Sequence, residues 1–222
     1  MSTLRHFNWE HEINFNDGSI THLFLENPIT MREYAYELLD QIENGAEGNF
    51  VLSQDATELS IQKNIAIITD PINLKFDEKK INAKINKDLL TVTNNPELQK
   101  DFFPLISLLE QYAMQIVDDY KMSISYEIPE QASIIKMLGF HINTEYTNLS
   151  DKLLEWMNIT HDLLGIGNFI ILNLNMFFSN EEISLLCTEC SSLKHNLLLI
   201  DQYNRYEIPN SITIDIDNCE LF

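Results

Sequence analysis

The sequence predicts an α/β fold: a head with a parallel-type sheet built from both ends of the chain, and a helical insertion between them. Three observations predict it. Apolar strand-like runs alternate with a capped helix over the last third, a spacing that calls for parallel strands. Near the start, a strand-like run leads into a capped helix. Between these regions, three segments carry apolar residues at helical spacing. The expected division is therefore 1–74 with 140–222 for the head and 75–139 for the insertion. The 222 residues are 45% hydrophobic, enough for a packed core and unlike a disordered chain.

Taken in order, His6 to Phe15 alternates and ends at Asn16-Asp17-Gly18, a hairpin turn signal. Ile20 to Leu25 reads as the next strand. Thr30, with Glu33 three residues on, reads as a capping box opening a helix that stops at Gly45. Phe50 to Leu52 and Ile65 to Thr69 are short strand-like runs. In the middle, Asp77 to Leu90 places Ile81, Ile85 and Leu89 on one helical face. Asn95-Pro96 starts a long helix with Leu98, Phe102, Leu105, Leu109, Tyr112 and Ile116 in a stripe, and Pro104 is expected to kink or restart it. Pro129 opens a third helix that ends at Gly139. Ser150 to Leu164 is a helix, and Phe169 to Leu174 a buried strand. Ser179 with Glu182 caps another helix. Leu197 to Ile200 and Ile212 to Ile216 are the last strands.

Composition excludes several classes. Fourteen Lys and Arg face 34 Asp and Glu, a formal net charge of −20. That balance argues against whole-surface adhesion to nucleic acid or anionic membrane, yet leaves room for a local basic face. No apolar run approaches the ~18 residues of a membrane span, and the N-terminus lacks a signal-peptide pattern. Three cysteines make no disulfide framework, so the expected compartment is the reducing cytoplasm, with no membrane partner.

No motif supports an enzyme. The head has the rhythm of a nucleotide-binding ATPase, but Glu26-Asn27-Pro28-Ile29-Thr30 stands where a phosphate loop would sit. It has no glycine to let the backbone wrap a phosphate and no lysine, and Glu26 repels the anion. Leu197 to Asp201 resembles the apolar strand whose terminal Asp holds magnesium, but without a glycine-lysine loop it reads better as a buried strand ending at a surface Asp. Gly165-Ile166-Gly167 precedes a strand and reads as a turn. Cys187 and Cys190 lie inside a predicted helix, with no second pair or nearby His to complete a zinc site, and read as buried apolar side chains. The six histidines show no metal spacing.

Two charge features remain. Lys75, Lys79, Lys80, Lys84 and Lys87 are five of the 14 basic residues. On a helix Lys80, Lys84 and Lys87 fall within about 60° of arc, roughly 130° from the Ile81 stripe, as a row about 10 Å long. Such a row suits a phosphate backbone, or is a solvated face. Three phosphate contacts bind weakly at cellular salt, and a symmetric oligomer that aims several copies at one duplex changes the sum. Asp118 and Asp119 end the long helix, with Glu127 and Glu130 following. Carboxylates at a helix C-terminus oppose its dipole, a repulsion that a hard cation such as calcium relieves. A solvated acidic patch is the plainer alternative.

The run Met122-Ser-Ile-Ser-Tyr-Glu-Ile-Pro-Glu-Gln-Ala-Ser-Ile-Ile-Lys-Met-Leu-Gly139 resembles a stretch of the small type II-A CRISPR spacer-acquisition proteins, the short ring-forming subfamily of the Csn-two family. Asn14 to Glu26 looks like that family's first hairpin, Ile67-Ile68-Thr69-Asp70 like the strand before its helical leg, and Asn168 to Asp201 like its late strand–helix–strand. The resemblance implies a noncatalytic adaptation protein. It implies a homotetrameric ring of ATPase-like heads without a working phosphate loop, closing around linear double-stranded DNA at free ends. It also implies calcium held by carboxylates, and partnership with the CRISPR integrase complex and the RNA-guided effector nuclease. Asp119 and Glu127 stand where the family has carboxylates flanking an Ile-Ser-Tyr strand, with Asp118 beside them. Ser123 and Ser125 stand where relatives carry acids. Lys79, Lys80, Lys84 and Lys87 lie in the leg segment. An acidic interaction scaffold and a degenerate ATPase-like protein are the alternative readings.

Overall fold

A computed structural model describes residues 1–143, 145–203 and 211–221. The chain divides into two compact units, Met1–Lys75 with Glu145–Phe222, and Phe76–Thr144.

The first unit holds two sheets. Strands β1 (Ser2–His6) and β2 (Ile13–Phe15) pair antiparallel, and β1 also pairs with β4 (Phe50–Gln54), which pairs with β5 (Thr57–Leu59). This sheet runs β2-β1-β4-β5. The second sheet joins β3 (Ile20–Leu25), β6 (Ile65–Ile68), β7 (Asn168–Leu172), β8 (Asn196–Asp201), β9 (Ile212–Ile214) and β10 (Glu220–Leu221). Its order is β10-β9-β3-β8-β7-β6, parallel except for β10. The helices of this unit are α1 (Pro28–Glu43), the single turn α2 (Ile61–Asn64), and two further helices after the insertion.

Side-chain alternation explains the layers. Leu23, Leu25, Ile170, Leu172, Leu198 and Ile200 face a core shared with α1 and the antiparallel sheet, where Tyr34, Leu38, Phe50 and Leu52 meet them. Their neighbours Phe169, Ile171, Leu197 and Leu199 face the opposite core. A strand with both faces covered reads as a continuous apolar run, which is how these strands were legible.

The second unit contains α3 (Glu78–Val92), α4 (Pro96–Asp119) and α5 (Gln131–Leu138). Here α5 packs on α3, and Ile81, Ile134 and Ile135 are buried. After it, α6 (Leu149–Leu164) and α7 (Asn180–Ser192) return to the first unit and supply Leu153, Met157, Ile183 and Leu186 to the second core. Ser179 and Glu182 form the expected capping box.

Several expectations are corrected. The Asn16-Asp17-Gly18 turn forms, with φ of +38° and +86° at its central residues, but it makes no hairpin. It hands the chain from β2 in one sheet to β3 in the other, because β3 is flanked on both sides by parallel partners. Asn27, not Thr30, caps α1 and accepts from the Ile29 N–H at 3.0 Å. Thr30 is buried inside the helix and donates to Asn218 Oδ1 at 2.5 Å. Helix α4 continues through Pro104 without restarting. The third helix begins at Gln131, with Glu130 rather than Pro129 at its cap. Met122 to Glu127 forms no strand, and Ile212 to Ile216 is followed by one further short strand, β10. On α3 only Ile81 of the predicted stripe is buried.

Candidate nucleic-acid interface

Helix α3 begins at Asp77, whose side chain accepts the Lys80 backbone N–H at 3.1 Å. That hydrogen bond and the Lys80 ammonium hold the Asp77 carboxyl below its usual range. The helix then presents Lys79, Lys80 and Lys87 exposed, with Lys84 half-buried. Two of the lysines are already paired along the helix. Lys80 Nζ lies 3.2 Å from Asp77 Oδ2, and Lys84 Nζ lies 3.1 Å from Asp88 Oδ1. Exposed pairs of this kind are weak and screened by salt, so a phosphate can displace the carboxylate. Lys79 and Lys87 make no ion pair among the described residues.

The predicted carboxylates are not gathered in the same way. Asp118 and Asp119 close α4, and Glu127 lies in the exposed segment after it. Among the described residues, no three His, Cys, Asp or Glu side chains stand together as a metal site.

The ATPase-like positions carry no phosphate-binding apparatus. Between β3 and α1 the chain has Glu26 and Asn27 alone, and Pro28 occupies the first helical position without an N–H. The Asn27 side chain takes the Ile29 N–H and donates to the Ile216 carbonyl at 2.9 Å. The helix N-terminus that would hold an anion is thus already capped. Asp201 is buried, not at the surface, and its carboxylate accepts the Asn175 N–H at 3.2 Å.

The remaining candidates behave as packing groups. Burial pushes the Cys187 thiol up to about 11 and the Cys190 thiol to about 12, so neither is a nucleophile near neutral pH. A histidine does approach Cys187, since His22 Nε2 lies 4.0 Å from its sulfur. The signal was invisible in spacing because 165 residues separate them. Gly165 is the left-handed cap of α6, with φ of +73°.

Residues 42–218 match the family model described as CRISPR-associated protein (Cas_Csn2). The chain belongs to the Cas_Csn2 family. The matched range takes in the whole helical unit and leaves β1 to β3 outside it, so the early segment that resembled a family hairpin lies beyond the match. Stu0660 of Streptococcus thermophilus has a similar structure, at a TM-score of 0.54 and 11% identity over 96% of this chain and 74% of that one. That likeness is one of fold. A structure of cbiO1 from Clostridium perfringens, part of the ABC transporter complex cbiONQ, aligns at a TM-score of 0.45 and 10% identity over 96% of this chain and 83% of that one.

Proposed function

We propose that this Cas_Csn2 protein is a noncatalytic, sequence-independent binder of linear double-stranded DNA ends, acting as a homotetrameric ring in spacer acquisition. The exposed lysine row of α3 carries the reading. In a chain of charge −20, Lys79, Lys80, Lys84 and Lys87 gather on one helix, four of 14 basic residues. Ammonium groups so spaced contact phosphates and read no bases.

Assembly is required by arithmetic. A handful of phosphate contacts per chain loses most of its affinity at physiological salt, whereas several copies acting on one duplex bind as a unit. Helix α4 supplies a reason for copies to meet, since none of its 24 residues is buried although it is strongly apolar. Partners in this reading are the CRISPR integrase complex and the RNA-guided effector nuclease. Calcium is the cofactor in this reading, with Asp118, Asp119 and Glu127 as the carboxylates that would hold it. The DNA contact proposed here does not pass through the ion.

The test is a pair of charge reversals. Lys80→Glu with Lys84→Glu is expected to weaken linear-duplex binding about tenfold or more at low salt and to flatten its salt dependence. Sedimentation should show assembly unchanged. Unaltered affinity at low salt would move the DNA contact off α3. The scaffold alternative draws on the same α3 pairs and the acidic balance, and it predicts that outcome.

A further inference from the structure

The first unit contains a cleft that DNA binding does not use. It lies between the end of α1 and the β4–β5 hairpin and has a volume of about 420 Å³. Phe50, Leu52 and Ile61 close its floor from the core, and the exposed residues Glu47, Gly48, Val51 and Glu58 line it with Leu59.

The cleft is preformed. The Gln41 amide clamps the Phe50 backbone, donating to its carbonyl at 3.0 Å and accepting its N–H at 3.2 Å. Gln62 Nε2 donates to the Glu43 carbonyl at 3.2 Å. Gly48 sits so close to Gln41 that a Cβ there would come within 2.6 Å of the amide carbon. A rim fixed in this way costs a ligand little ordering.

Two of the lining residues, Glu58 and Leu59, belong to β5. Strand β5 is the outermost strand of the antiparallel sheet. Asp55 and Ala56, both with positive φ, form a two-residue turn that makes Gln54 and Thr57 the hydrogen-bonded closing pair. The next pair, Ser53 and Glu58, is then of the unbonded kind, so the N–H and C=O of Glu58 point away from β4. Unpaired edge groups of this kind are a template for an added strand.

Charge selects the occupant. Among the described residues lining the cleft, Glu47 and Glu58 are the charged ones and none is basic. A nucleic acid would be repelled, while a cationic side chain is attracted to the two carboxylates. We propose that this cleft binds an extended basic peptide segment of a protein partner, which adds a strand to β5 and directs an arginine or lysine to Glu47 and Glu58. The site is separate from the α3 lysines and stands or falls independently of DNA binding.

The experiment titrates the full-length protein with the capped tripeptides acetyl-Val-Arg-Val-amide and acetyl-Val-Glu-Val-amide by calorimetry, and maps the bound state by hydrogen exchange. The arginine peptide is expected to bind at least about tenfold tighter than the glutamate peptide and to slow exchange across Thr57–Ile61. The variant Glu47→Gln with Glu58→Gln changes two exposed side chains, is expected to leave the circular dichroism spectrum unchanged, and should reduce the preference to about twofold. Four results would each overturn the proposal. They are equal affinity for the two peptides, protection elsewhere, a preference that survives in the variant, and no saturable binding of the arginine peptide up to about 5 mM.

Discussion

At the scale of single residues, the buried histidines make this protein less stable in acid. His22 is buried, and desolvation lowers its imidazolium pKa to about 4. His6 and His195 are lowered by burial in the same direction. The unfolded chain takes up the His22 proton near pH 6.5, while the folded chain does so only near 4. Stability is therefore complete above pH 6.5, falls as the pH drops toward 4, and changes no further through this group below that. The His22 contribution is about 3 kcal/mol. Thermal unfolding between pH 7 and 4 should show this loss, and His22→Gln should show a visibly shallower one; parallel curves would mean that His22 titrates normally in the fold. At the same scale, the lysine reversals test the proposed DNA contact at Lys80 and Lys84, whose ammonium groups now lie beside Asp77 and Asp88.

At the scale of elements, α4 is the helix on which the proposed assembly rests. Leu98, Leu105, Tyr112 and Ile116 lie on one stripe and are each at least 44% exposed, while Phe103 and Met114 are exposed on another side. A helix apolar on more than one side and buried on none is a surface for association. Leu105→Asp with Tyr112→Asp should leave the helical content unchanged and shift the protein to smaller species in sedimentation; unchanged assembly would show that α4 is not the joining surface. Elements were also where the sequence was most legible. The runs at Phe169 and Leu197 announced strands buried on both faces, and Ser179 with Glu182 announced a capped helix, because each signal is local. The errors arose where a local signal met a tertiary constraint. Asn16-Asp17-Gly18 makes a hairpin-type turn, but the partners of β3 come from Leu197 and Ile212, far along the chain. The cleft beside β5 was not legible at all, since it depends on where the sheet ends. The lysine row was visible through helical spacing, but its partial pairing with Asp77 and Asp88 needed side-chain geometry.

At the scale of the whole molecule, the question is how a chain of charge −20 holds a polyanion. Long-range repulsion is screened within about 10 Å at 0.1 M salt, so local ammonium groups dominate once the duplex is close. Binding should then be steeply salt-dependent and blind to sequence. If several copies enclose the duplex, the DNA must enter by an end, and topology becomes the sharpest probe. The decisive measurement is the affinity of the assembled protein for one duplex in two forms, linear and covalently closed circular, at equal length and low salt. Capture of the linear form, with little or none of the closed circle, is the predicted result; equal binding of both would contradict an enclosing ring.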